Sequence, residues 1–181
     1  DVASDSWVDL PAMVETRASH DVQVANGTLV VTGGWEYADE DWAYVESTLT
    51  LDLTDPDASW EVHEQPFQIR DHCGAARGHE VYVLGGMLSG SFPARTWVFD
   101  VDTKSYREGP RLPVNHVFRG FGCGGTHIGD DVYLTGGDGV VWTLNAAGDD
   151  WERAGQLSAP RLFHRLVANG EQELIAVGGG V

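Results

Sequence analysis

Four glycine pairs divide this chain into similar stretches, and they constrain its folding more than any other feature. They are Gly33-Gly34, Gly85-Gly86, Gly136-Gly137 and Gly178-Gly179. Each follows a short run rich in Val, Leu, Tyr and Thr, over residues 28–32, 80–84, 131–135 and 173–177. Such runs suit pleated, half-buried strands. The pairs recur at intervals of roughly fifty, fifty and forty residues, a period that marks stacked supersecondary units.

Other positions recur in phase. Arg17, Arg70, Arg119 and Arg161 precede the pairs, and His20, His72 and His164 follow three of those arginines. The third repeat has Phe121-Gly122-Cys123-Gly124 instead. A second apolar run comes after each of the first three pairs, over residues 47–53, 95–101 and 139–144. A polar turn and an aromatic then follow: Trp60, Tyr106 and Trp151, with Trp7 fitting the same slot ahead of the first repeat. Asn26-Gly27 and Asn169-Gly170 precede two of the glycine-ended strands, as tight hairpins require.

The paired glycines, Tyr82 and Tyr133 before two of them, the later Trp or Tyr and the Pro-x-x-Arg stretches together resemble the kelch motif. The resemblance runs through nearly the whole chain. It implies an all-β, kelch-type β-propeller in which each repeat is a four-stranded blade. The expected blades span about 14–62, 67–108 and 115–153, with a partial blade at 158–181 and an outer strand of another at 5–10. Three complete blades with partial ones at both ends suggest a segment of a larger propeller, or one completed by a partner.

Lys and Arg total 11 against 28 Asp and Glu, a net charge of −17 with a pI near 4.5. Such a field disfavours nucleic acid and anionic membranes and favours cationic partners. No apolar run is long enough to cross a bilayer as a helix. Cys73 and Cys123 lie on first strands of adjacent repeats, which line the axis in the kelch arrangement; a bridge and two buried thiols both fit. Asn26-Gly27-Thr28 is a glycosylation sequon in an expected turn. A bridge or a glycan would point to an oxidising, extracellular setting.

The most unusual segment is the loop at 35–44, where Trp35, Glu36, Tyr37, Trp42 and Tyr44 mix aromatics with carboxylates. Its counterpart after Gly86 carries Phe92 and Arg95. Loops carry binding function more often than scaffolds do, and this composition suits a cationic peptide, a sugar or a neighbouring subunit. Arg17, Arg70, Arg119 and Arg161 either ring one mouth of the axis as an anion site or tie strands together. The recurring histidines read as packing residues, since His-x-x-x-His spacing is absent. No metal, cofactor or catalytic set is expected.

The resulting expectation is a non-enzymatic interaction or assembly module, extracellular, acting through protein partners or self-assembly. Two alternatives remain open. One is a kelch enzyme or carbohydrate binder similar to galactose oxidase or the sialic-acid mutarotases. The other is an intracellular kelch adaptor.

Overall fold

The structure is a computed structural model that describes residues 3–38, 40–113 and 120–180. It is all-β, and the described residues contain no helix. The first part of the chain forms β1 (Asp21–Ala25), β2 (Thr28–Thr32), β3 (Trp35–Ala38), β4 (Asp41–Tyr44), β5 (Ser47–Asp52) and β6 (Glu61–Glu64). β1, β2, β5 and β6 make one antiparallel four-stranded sheet, while β3 and β4 form a separate hairpin between its second and third strands. β7 (Cys73–Arg77), β8 (Glu80–Leu84), β9 (Thr96–Asp100) and β10 (Ser105–Glu108) make a second sheet in sequence order. β11 (Gly124–Ile128), β12 (Asp131–Thr135), β13 (Val140–Leu144) and β14 (Trp151–Gln156) make a third. β15 (Leu162–Asn169) and β16 (Glu173–Gly180) pair as a two-stranded unit.

Each sheet is a blade, and the blades stack face to face. The first strands β1, β7, β11 and β15 are successive neighbours on the inner side. A relay of backbone hydrogen bonds links the residues just ahead of them. Asp71 N–H donates to Ser19 O at 3.0 Å, Gly122 N–H to Asp71 O at 3.0 Å, and Phe163 N–H to Gly122 O at 2.7 Å. All four residues have left-handed backbone, with φ of 56° at Ser19, 52° at Asp71, 60° at Gly122 and 55° at Phe163. One repeated turn therefore feeds every inner strand.

Apolar seams hold the blades together. Ala25 and Val30 of the first blade meet Ala76, Val81, Phe99 and Val101 of the second, with Tyr106 packed against them. Tyr82, Leu84 and Val98 of the second meet Val132, Leu134, Leu144 and Trp151 of the third. Fully burying each large side chain is worth about 1.5–3 kcal/mol, so these seams dominate the stability of the stack.

The glycine pairs have a steric cause. A Cβ at Gly33, where φ is +59°, would lie 2.6 Å from the ring of His72 in the next blade and 2.7 Å from Ile69 O. One at Gly34, where φ is +99°, would lie 2.6 Å from Ala18 O on the strand entry of its own blade. The first glycine of this pair thus seats the next blade and the second seats its own, whereas at the third pair Gly137 faces Leu162 of the following unit.

The outer strand expected over residues 5–10 does not form. Trp7 is 100 % exposed, and Val8 and Leu10 are exposed too. A fourth strand needs a third strand beside it, and β15–β16 offers only two.

Candidate interaction face

The loop at 35–44 is itself a β-hairpin. Its register pairs Trp35 with Tyr44 and Tyr37 with Trp42, while Glu36 faces Ala43 and Ala38 faces Asp41. Cross-strand partners and alternate residues share a face, so all four aromatics lie on one side of the hairpin. The other side carries Glu36, Asp41 and two alanines. Glu40, at the tip, has left-handed backbone with φ of 66°.

Three of the aromatics form one cluster. The Trp35 and Trp42 rings are 4.5 Å apart and the Tyr37 and Trp42 rings 5.3 Å apart, within the range of favourable ring contact. Trp35 and Tyr44 are half-buried, whereas Tyr37 is 60 % and Trp42 50 % exposed. The hairpin base is fixed. Trp35 exchanges both backbone hydrogen bonds with Ala18, and the Arg70 guanidinium stacks 3.9 Å above the Trp35 ring. Ser89 N–H donates to the Tyr44 hydroxyl at 2.9 Å, joining the hairpin to the neighbouring loop of the second blade.

A cleft of about 370 Å³ opens beside the hairpin. Glu15, Glu36, Tyr44 and Glu46 line it. Below lies Arg17, whose side chain is fully buried and which donates to Glu15 at 2.6 Å and to Ser47 O at 3.0 Å. Burial lowers the Arg17 pKa, although Glu15 and Glu36 oppose that shift.

The structure gives three of the four recurring arginines work within the blades. Arg17 and Arg161 both donate to the carbonyl of the first glycine in their pair, Gly33 and Gly178. Arg70 ion-pairs with Asp71 and stacks on Trp35. None of these three lines the cavity at the inner-strand mouth, where Arg165 stands instead. Arg119 lies outside the described residues. Arg95 is exposed, and its carbonyl accepts Gly85 N–H. Phe92 packs 5.0 Å from Phe121, which in turn meets Phe163 edge-on at 5.1 Å.

That mouth is a cavity of about 180 Å³ lined by the residues of the backbone relay together with His20, His72 and His164. Burial lowers all three histidine pKa values, that of His72 to about 3, so they are neutral at pH 7. His72 hydrogen-bonds Thr32 Oγ1, and His164 bonds Thr135 Oγ1. Sequence reading missed Phe163, 59 % exposed at the rim despite its left-handed backbone, and Asp21, buried and 3.6 Å from Arg165. Their repeat positions carry different residue types from blade to blade, so no periodic signal marks them.

The sulfurs of Cys73 and Cys123 are 2.08 Å apart with their Cα atoms at 5.6 Å, a disulfide joining the inner edges of the second and third blades. Asn26 is exposed at the β1–β2 turn, with φ of 46° there and 75° at Gly27, the backbone of a tight hairpin turn.

Residues 69–113 match the family model described as Kelch motif, which spans the whole second blade and its flanks. The chain carries a kelch repeat. The first and third sheets repeat the four-stranded order of this kelch blade, with the glycine pair in the same place. No curated protein matches the chain.

Proposed function

We propose that this kelch-repeat chain is a protein-interaction module whose contact surface is the aromatic hairpin of the first blade. One observation carries the reading: Tyr37 and Trp42 stand exposed on one face while Trp35 and Tyr44 anchor that face to two blades. Exposed aromatics on a rigid support are what interface anchors require, because little side-chain freedom is lost on binding. Kelch repeats commonly mediate protein contacts, which supports the same reading.

The test compares the protein with its Tyr37→Ala/Trp42→Ala variant in affinity capture from the source organism. The expected result is a specific partner lost with the variant while the thermal midpoint is unchanged. Equal capture by both proteins refutes the hairpin as the contact surface.

A second reading concerns assembly. Val167, Ile175 and Val177 are exposed on one face of β15–β16, with Val167 opposite Ile175. In this reading a further blade, from a longer chain or from a partner, covers that face and completes a larger propeller. The Cys73–Cys123 bridge supports placing the module in an oxidising, extracellular setting, with Asn26 as an accessible glycan acceptor.

A further inference from the structure

We propose that the cavity at the inner-strand mouth is a ligand site for a carboxylate carried on a small apolar or aromatic body, with Arg165 and His72 taking the carboxylate and Phe163 the body. The site uses none of the hairpin's residues, so it stands or falls apart from the interaction surface.

The anchor is a cation with spare donors. Arg165 lines both the mouth cavity of about 180 Å³ and an adjoining one of about 550 Å³, together with Ser19 and His20. Its side chain is 68 % exposed, and its ion pair to Asp21 is long, at 3.6 Å, and runs through one nitrogen. A guanidinium has five N–H donors in a planar fork that matches a carboxylate. The carboxylate that lines the mouth itself, Asp71, is already paired with Arg70.

The second polar group is buried and unmatched. His72 is 5 % exposed, lines the mouth, and has its Nε2 held by the Thr32 hydroxyl at 3.0 Å. Its Nδ1 has no hydrogen-bond partner among the described residues. Leaving such a group unmatched is costly, and a ligand oxygen supplies the missing partner. A proton on Nδ1, with Thr32 donating to Nε2, makes it a donor to a carboxylate. The local field has the matching sign. Burial is the main cause that lowers His20, His72 and His164, and Arg165 adds to the shift at all three, whereas no carboxylate opposes it. The imidazoles therefore sit in a positive environment inside a chain of net charge −17.

Phe163 supplies the apolar half. Ser19, Asp71, Gly122 and Phe163 fill equivalent turns with left-handed backbone. Glycine adopts this backbone freely, but a bulky aromatic does so at a cost, and such strain gathers at ligand clamps. The Phe163 ring is 59 % exposed all the same. It is fixed edge-on against Phe121 at 5.1 Å and lies over Gly122, where a Cβ would stand 3.2 Å from its Cδ1. An apolar surface thus borders the polar cavity. A neutral sugar would use the ring and His72 but leave the guanidinium without a counter-charge. A bare inorganic anion would leave the ring unused.

The experiment titrates the whole protein with benzoate, benzamide, acetate and a tetrapeptide ending in phenylalanine, read by saturation-transfer NMR. Benzoate is expected to bind saturably, with benzamide or Arg165→Gln weakening it roughly ten- to hundredfold. Acetate in place of benzoate, or Phe163→Gly, is expected to cost roughly three- to tenfold. Phe163→Gly relieves the left-handed strain, so its fold is expected to be retained, with thermal melts as the check. Arg153→Gln removes the same charge from an exposed position on β14 and is expected to leave binding unchanged.

Equal binding of benzoate and benzamide overturns the carboxylate. Benzoate binding indifferent to both Arg165→Gln and Phe163→Gly, or weakened as much by Arg153→Gln, overturns the location. Equal binding of acetate and benzoate overturns the apolar body. No binding of any carboxylate at millimolar concentration overturns the site. Benzoate binding more tightly than the peptide assigns a free acid as the ligand, and the reverse assigns a chain terminus; both uphold the carboxylate chemistry.

Discussion

His72 reaches across the seam between the first two blades to Thr32, its Nε2 3.0 Å from the threonine Oγ1. Thr32 immediately precedes Gly33, the glycine whose missing side chain makes room for the same imidazole. His164 and Thr135 repeat the contact between the third blade and β15. At the intervening seam Cys123 and Leu84 occupy these two positions, and the disulfide to Cys73 stands in for the hydrogen bond.

This buried histidine makes stability depend on pH. Its pKa falls from 6.5 to about 3 on folding, because burial penalises the charged form. The contribution is fully present above pH 6.5 and is lost as pH falls from there toward 3, since the unfolded chain takes up the proton first. His20 and His164 shift in the same direction, whereas Asp21, raised by burial, opposes them. Between about pH 6.5 and 5 the free energy of unfolding is expected to fall, His72 alone contributing up to about 1.4 kcal/mol per pH unit. Denaturant melts of the protein and of His72→Gln check this. The variant should start less stable near neutral pH and show a shallower slope.

Glycine substitutions separate backbone strain from crowding. Gly78 has φ of +59° and open space within 4 Å of where a side-chain methyl would sit, while Gly33 has the same φ and meets His72 and Ile69. Gly78→Ala should cost about 1–2 kcal/mol from left-handed strain alone. Gly33→Ala adds a clash that the packed seam resists, for a total of roughly 3 kcal/mol or more. Equal losses at the two sites would refute the seating role of the glycine pair.

The outer aromatics should differ in weight. Trp151 is 5 % exposed in the seam between the second and third blades and donates to Pro110 O at 3.4 Å. Trp60 makes the corresponding bond to Pro11 O at 2.8 Å but is only half-buried. Trp151→Ala is expected to cost about 3–5 kcal/mol. Trp60→Ala should cost clearly less, since less surface leaves solvent. Chemical denaturation of both variants measures the difference.

The disulfide closes a loop with a sequence separation of 50 residues. Constraint of the unfolded chain over such a loop is worth about 4 kcal/mol. The Cys73→Ala/Cys123→Ala variant, and the protein under reductant, should both melt at lower denaturant. Thiol titration of the unfolded, unreduced protein should find no free cysteine.

Much of this architecture is legible in the residues because the repeat imposes it. Each glycine pair, its preceding strand and the later aromatic occupy fixed steric positions, so their recurrence maps onto sheets directly. The aromatic hairpin shows in the sequence only as an odd loop. Its alternation of Trp35, Tyr37, Trp42 and Tyr44 is a strand signal, yet it is interrupted by acidic residues that read equally as a solvated turn. The stack of Arg70 on Trp35 joins residues of two different blades and has no local signature. The expected strand at 5–10 has the right aromatic in Trp7 and, among the described residues, no neighbouring strand pairs with it. Alternation predicts a strand, but only a neighbour makes one.

Site-specific photo-crosslinking tests the central claim most directly. A p-benzoylphenylalanine placed at Tyr37, on the hairpin, is compared with one at Val177, on the open face of β16, in the protein exposed to extract of its source. Crosslinks to a discrete polypeptide at position 37 that vanish with Trp42→Ala are the predicted result. Crosslinks confined to position 177 would contradict the account and move the interaction surface to the flank.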